Sequence, residues 1–106
     1  MIKTILQAAD VPGREGWYDS PPKGNYVLWF DDVTTDGPDG HPEWVKKHDV
    51  ILELYEPVAD PAVEAALEAA MNVQGCEWTK QGRLWLKDLK HFQVIYEFSY
   101  TEKRRT

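Results

Sequence analysis

His91-Phe92-Gln93-Val94-Ile95-Tyr96-Glu97-Phe98-Ser99-Tyr100-Thr101 alternates almost without interruption. Phe92, Val94, Tyr96, Phe98 and Tyr100 fall on one side of the chain; His91, Gln93, Glu97 and Ser99 fall on the other. Ile95 alone breaks the polar side. Successive side chains of an extended segment point to opposite faces, so this period of two predicts a strand with one apolar face.

Upstream, residues 76–80 and 83–87 read as two more strands turning at Gln81-Gly82. Before them, Asp60 supplies an N-cap oxygen and Pro61 occupies the first helical position, where its missing N–H costs nothing. Val63, Ala66, Leu67, Ala70 and Met71 follow at helical spacing, with Glu64 and Glu68 mostly off that stripe, and Gly75 is a stop signal. Residues 45–55 predict a long strand with His48, Val50, Leu52 and Leu54 on one side and Asp49, Ile51, Glu53 and Tyr55 on the other. Residues 26–30, Tyr-Val-Leu-Trp-Phe, predict an inner strand covered on both faces.

Residues 10–25 carry three prolines and three glycines and predict a loop, with a short extended piece at Trp17-Tyr18. Residues 2–9 place Ile2, Ile5, Leu6 and Ala9 on one helical face, and Pro12 and Gly13 end that helix near Asp10. Short turns between strands force antiparallel neighbours. The expected architecture is α+β: an antiparallel sheet of four to five strands with two helices packed on one face.

A chain of 106 residues has room for one domain. The ordered core is expected over about residues 2–101, with residues 102–106 a flexible tail. With 18 acidic and 12 basic residues the net charge is −6, which argues against a tight grip on nucleic acid phosphates. The basic cluster Lys103-Arg104-Arg105 reads as part of that solvated tail. Cys76 is the single cysteine, so neither an intrachain disulfide nor a Cys-rich zinc site is available. No apolar run approaches the ~20 residues of a membrane helix, and the first residues are too weak for a signal peptide. A cytoplasmic protein is expected.

Asp32 to Glu43 imitates a calcium loop, with Asp32, Thr34, Asp36, Gly37 and Glu43 at the ligand and turn positions. Flanking strands in place of helices, and Pro38 and Pro42 within the segment, favour a strand-connecting loop. His41, His48 and His91 match no metal spacing. Ser20 and Ser99 have no nucleophile elbow, and Cys76 has no adjacent cation to activate it. No catalytic residue, cofactor or metal is therefore expected. An enzymatic alternative would need Asp31, Asp32, His48 and Asp49 to converge. Trp17, Tyr18, Trp44, Trp78 and Trp85 stand in or beside loops and strand ends, and are candidate interface residues because Trp and Tyr dominate binding hot spots.

Four segments together resemble a family of small tail-morphogenesis proteins of long-tailed phages and prophages. They are residues 18–32 (Tyr-Asp-Ser-Pro-Pro-Lys-Gly-Asn-Tyr-Val-Leu-Trp-Phe-Asp-Asp), residues 48–55 (His-Asp-Val-Ile-Leu-Glu-Leu-Tyr), the helix opened by Asp60, and residues 94–98 (Val-Ile-Tyr-Glu-Phe). The resemblance covers roughly residues 15–100. It implies a tail-terminator or head–tail joining subunit, an α+β protein that forms rings, often hexamers, and meets the tail-tube or connector protein. It also implies residence in the host cytoplasm during assembly and then in the virion tail or neck. No catalytic residues carry over, and the segment 33–44 and the chain ends become candidate ring contacts. The competing expectation is a phage-encoded accessory or inhibitor protein that binds a host protein through the aromatic surface.

Overall fold

The computed structural model describes residues 1–36 and 43–105. Helix α1 (Ile2–Ala9) buries Ile2, Ile5, Leu6 and Ala9, the face its spacing predicts. It ends at Asp10, whose backbone is left-handed with φ 55°, while the Val11 amide closes onto the Leu6 carbonyl. The chain then enters β1 (Gly13–Glu15). A Cβ at Gly13 would meet Leu6 Cδ1 at 2.5 Å and the Val27 carbonyl oxygen at 3.1 Å, so glycine lets this strand pass close beneath the helix.

Three long strands carry the sheet: β2 (Tyr26–Asp36), β3 (Glu43–Glu56) and β6 (His91–Arg105). Between β3 and β6 come α2 (Pro61–Val73), β4 (Thr79–Lys80) and β5 (Leu84–Leu86). The sheet order is β1-β2-β3-β6-β4, with β5 also on β6. Every pairing is antiparallel except β1 with β2. The α+β layout with both helices against one face is therefore as expected.

Several local expectations are corrected. The extended piece lies at Gly13–Glu15 rather than at Trp17-Tyr18, because the edge of β2 offers the amide of Val27 and the carbonyl of Trp29 to residues 12 and 16. Gln81-Gly82 is not a hairpin turn. The Gln81 amide donates to the Ile95 carbonyl, so β4 and β5 lie end to end along β6 as one interrupted edge strand. β2 is covered on both faces only at its start, where Tyr26 is buried against Tyr55 and Tyr18 on one side and Val27 on the other; further along, Trp29 packs on the core whereas Phe30, on the opposite face, is exposed. Residues 102–105, expected to trail away, continue β6 opposite residues 43–46.

The core lies between the helices and the face of the sheet built from Val27, Val50, Leu52, Leu54, Val94, Tyr96 and Phe98. Its reach is set by a mismatch of lengths. Fourteen or fifteen extended residues span about 46–50 Å at ~3.3 Å each. The thirteen residues of α2 span only about 20 Å at ~1.5 Å each. The sheet therefore outruns its cover, and the molecule is 51 Å along its longest axis. Beyond the row Asp31–Val50–Phe98, β2, β3 and β6 continue as a three-stranded arm without helices.

At the other end, α2 is anchored by charge as well as by apolar contact. Asp60 accepts the Val63 amide at 3.2 Å and is itself held by Asn25 at 2.9 Å, which lowers its carboxyl pKa. Glu64 and Glu68 do not point away from the packed side, as their residue type suggested. They share a helix face with Leu67 and Met71, at spacings of three and four residues. Glu64 is buried and meets Lys80 at 2.9 Å and Arg83 at 2.9 Å; Glu68 meets Lys80 at 2.7 Å and accepts the Tyr96 hydroxyl at 2.7 Å. These bonds tie the helix to the interrupted edge strand.

Glu56, fully buried beside Glu64, completes the network. Its Oε2 accepts the Asp60 amide, while its Oε1 lies 3.5 Å from Arg83 Nε, close enough for an ion pair but without a hydrogen-bond partner among the described residues. A proton on that carboxyl would satisfy the orphan oxygen by donating to Glu64. Burial first, and then the Glu64 carboxylate, push the Glu56 pKa from 4.5 up to about 7, while Lys80 and Arg83 hold Glu64 low. The folded state thus binds a proton that the unfolded state releases, and Glu56 draws stability down as pH rises from about 4.5 to about 7. Glu56→Gln, which keeps the shape without the charge, is expected to gain urea midpoint over the parent progressively across that window. An advantage confined to pH below 5 would contradict the protonated pair.

Candidate functional site

The five aromatic residues singled out by the sequence do not form one patch. Trp17 is 66% exposed in the loop after β1, its indole N–H donating to Asp19 at 3.2 Å. Tyr18 is half-buried, edge-on to Tyr26 at 5.8 Å, and Tyr26 in turn stacks on Tyr55 at 5.1 Å. Trp78 packs against the core, donates to Asn72 at 2.8 Å and meets Tyr96 edge-on at 5.7 Å. Trp85, on β5, is 48% exposed and leans on Phe92 at 4.8 Å. The side chain of Trp44 lies outside the described residues, as does the 37–42 part of the calcium-loop segment. Trp17 and Trp85 therefore sit by opposite edges of the sheet, one beside β1 and one on β5.

The arm is held at its root by a contact the sequence did not reveal. His48 is buried on the helix-side face of β3, and its ring stacks on Tyr100 at 4.2 Å, nearly parallel. Nδ1 meets Asp31 Oδ2 of β2 at 2.7 Å, and Nε2 meets Glu102 Oε1 of β6 at 2.5 Å. One imidazole thus bridges all three strands. Burial opposes a charged ring, but the bonds and charges of Asp31 and Glu102 prevail and raise its pKa above 6.5. The two carboxylates grip opposite ring nitrogens, so they do not converge on a common ligand position. Asp32 and Asp49 lie on the other face of the sheet, so the four residues of the enzymatic alternative are not brought together.

Among the described residues, no helix lies over that other face. On it Phe30, Ile51 and Glu97 stand in one row across β2, β3 and β6 and Leu28, Glu53 and Ile95 in the next, so apolar side chains alternate with carboxylates, and Asp32 and Asp49 follow toward the arm. A shallow groove runs from Asp32 and Asp49 past Glu97 to Glu77 before β4. Cys76 is buried, with its thiol within 3.8 Å of the Met1 sulfur, and burial raises its pKa, as for an unactivated thiol.

The arm's edges complete the surface. β1 covers the outer edge of β2 only opposite residues 27–29, and β4 and β5 cover the outer edge of β6 only as far as Glu97. Among the described residues no strand pairs with residues 30–36 of β2 or with residues 98–105 of β6 along their outer edges. No described helix is long and apolar enough to cross a membrane.

No protein-family model and no curated protein matches this chain. Among solved structures it is similar to a chain from the virion of a native gene transfer agent particle. The match has a TM-score of 0.56 at 14% identity, and covers 90% of this chain and 81% of that one. At that identity the likeness is one of fold.

The His48 clamp has a defined pH signature. A pKa raised on folding contributes stability that is complete below about pH 6.5 and is lost as pH rises through the elevated folded value. His48→Gln is expected to lower the urea midpoint most at pH 5–6, with the deficit shrinking toward pH 9. A deficit that grows with pH would show that the ring is held neutral.

Proposed function

We propose that this protein is a structural, non-catalytic subunit of a phage-like virion, a tail terminator or head–tail joining subunit that works as a ring. The observation that carries this reading is the fold shared, over nine-tenths of the chain, with a chain of a gene transfer agent virion. The surface chemistry supports it. An assembling subunit needs contact areas on two sides, and the exposed tryptophans Trp17 and Trp85 lie by opposite sheet edges. A binder that seizes one host protein would instead gather its aromatics into one patch.

The charge fits a channel wall in preference to a nucleic acid clamp. A net charge of −6 and the acidic border of the uncovered sheet face repel phosphates, so DNA passing such a ring would slide without being held. The other partners in this reading are the tail-tube or connector protein, met through the ends of the ring. Assembly takes place in the host cytoplasm, and the finished subunit resides in the virion.

Mass photometry of the purified protein across a concentration series, alone and with a phage tail-tube protein added, tests the proposal. A discrete oligomer, or a defined complex with the tube protein, is expected. A monomer at every concentration with no affinity for tube or connector would refute it, and a host protein as the dominant stable partner would favour the inhibitor. Trp17→Ala and Trp85→Ala are expected to weaken assembly while leaving thermal stability nearly unchanged. Trp78→Ala should cost about 2–4 kcal/mol of fold stability, because its ring packs on the core.

A further inference from the structure

Among the described residues, the arm presents two unpaired strand edges of opposite charge. Unpaired edges are ready templates for another chain, and proteins that remain monomeric shorten, bulge, cover or charge them, a charge that repels a like edge and attracts an unlike one. Neither long edge here is shortened. Because Ile95 turns its carbonyl outward to Gln81, the period of two also turns the backbone groups of Ser99, Thr101 and Lys103 outward. Because Val27 and Trp29 bond outward to Pro12 and Gly16, the same period turns out those of Asp31, Val33 and Thr35. The two edges therefore present backbone donors and acceptors over the same stretch of the arm.

Their charges differ in sign. Residues 30–36 of β2 contain Asp31, Asp32 and Asp36 and no cation, whereas residues 98–105 of β6 contain Lys103, Arg104 and Arg105 against Glu102 alone. Through β3, Asp36 stands level with Lys103 and Thr34 level with Thr101. Pairing like with like would set aspartates beside aspartates or the basic run beside its own copy. Pairing unlike edges sets acid beside base.

We infer that copies of this chain join head to tail through the arm, the β6 edge of one copy pairing with the β2 edge of the next. The inference rests on reading the chain as an assembling subunit, and adds which surfaces meet. β2 and β6 run in the same direction, each being antiparallel to β3, so the joint between copies is parallel. When copies are related by rotation alone their arms point the same way and equal heights face one another, give or take the stagger of tilted strands. Closure then turns separate arms into one continuous barrel with no free edge. A two-fold dimer cannot do this, because it joins identical edges.

The test uses single cysteines on one face of the arm, Thr34→Cys on β2 and Thr101→Cys on β6, with Cys76→Ala as background and circular dichroism as the folding control. A short bis-maleimide is the probe. Each single variant alone should give no cross-linked product, their mixture should give dimers only, and the double variant should give a ladder ending at the ring size. Self-cross-linking by either single variant means like edges pair, and overturns the inference. A discrete oligomer by mass photometry without cross-links from the double variant overturns the edge joint while leaving the assembling subunit standing. A monomer without cross-links overturns both. Charge reversal supplies an independent arm. Lys103→Glu with Arg105→Glu, or Asp32→Lys with Asp36→Lys, should each weaken self-assembly about tenfold, and mixing the two variants should restore it. Reversed variants that assemble as well as the parent would show that charge does not choose the edge.

Discussion

The sheet is longer than anything available to cover it, and most of the molecule's character follows from that inequality. Two short helices bury the near half of β2, β3 and β6 and make an ordinary two-layer core. Among the described residues, the far half has no second layer. Its order must come from backbone pairing and from contacts within its own width.

His48 supplies such a contact. Its ring lies on the side of the sheet that faces the helices, at the row where helical cover gives out, and it bonds to carboxylates on both neighbouring strands. A polar group buried at that point would be costly without partners. With them it fixes the width of the arm where the core can no longer do so. The Glu56, Glu64, Lys80 and Arg83 network does the corresponding work at the opposite end, joining α2 to the edge strand by charge. The apolar layer lies between these two polar anchors.

Much of this was legible in the residues. The alternation of residues 91–101, the Asp60–Pro61 start of α2 and its Gly75 stop placed the elements and the buried face, because period and capping are local signals. What escaped were facts of register. His48 was already visible as a polar residue among Val50, Leu52 and Leu54, but Asp31 and Glu102 reach it only through pairings no local signal encodes. Glu64 lies off the stripe of Val63, Ala66 and Ala70, yet its spacing of three and seven residues from Leu67 and Met71 sets it on the packed face. Gln81-Gly82 read as a turn because glycine usually marks one, yet β6 was long enough to hold both pieces in line. The basic end looked like a frayed tail because charge favours water. Its pairing with residues 43–46 keeps it in the sheet instead.

Backbone hydrogen exchange tests the central claim, that the uncovered arm is the element through which copies assemble. The inward amides of β2, β3 and β6 should be protected at all concentrations. The outward amides of Val33, Thr35, Ser99, Thr101 and Lys103 should exchange freely in dilute monomer and become protected on assembly. Outward amides that stay unprotected in the assembled particle would contradict the account, as would an arm whose inward amides exchange as fast as an unfolded chain.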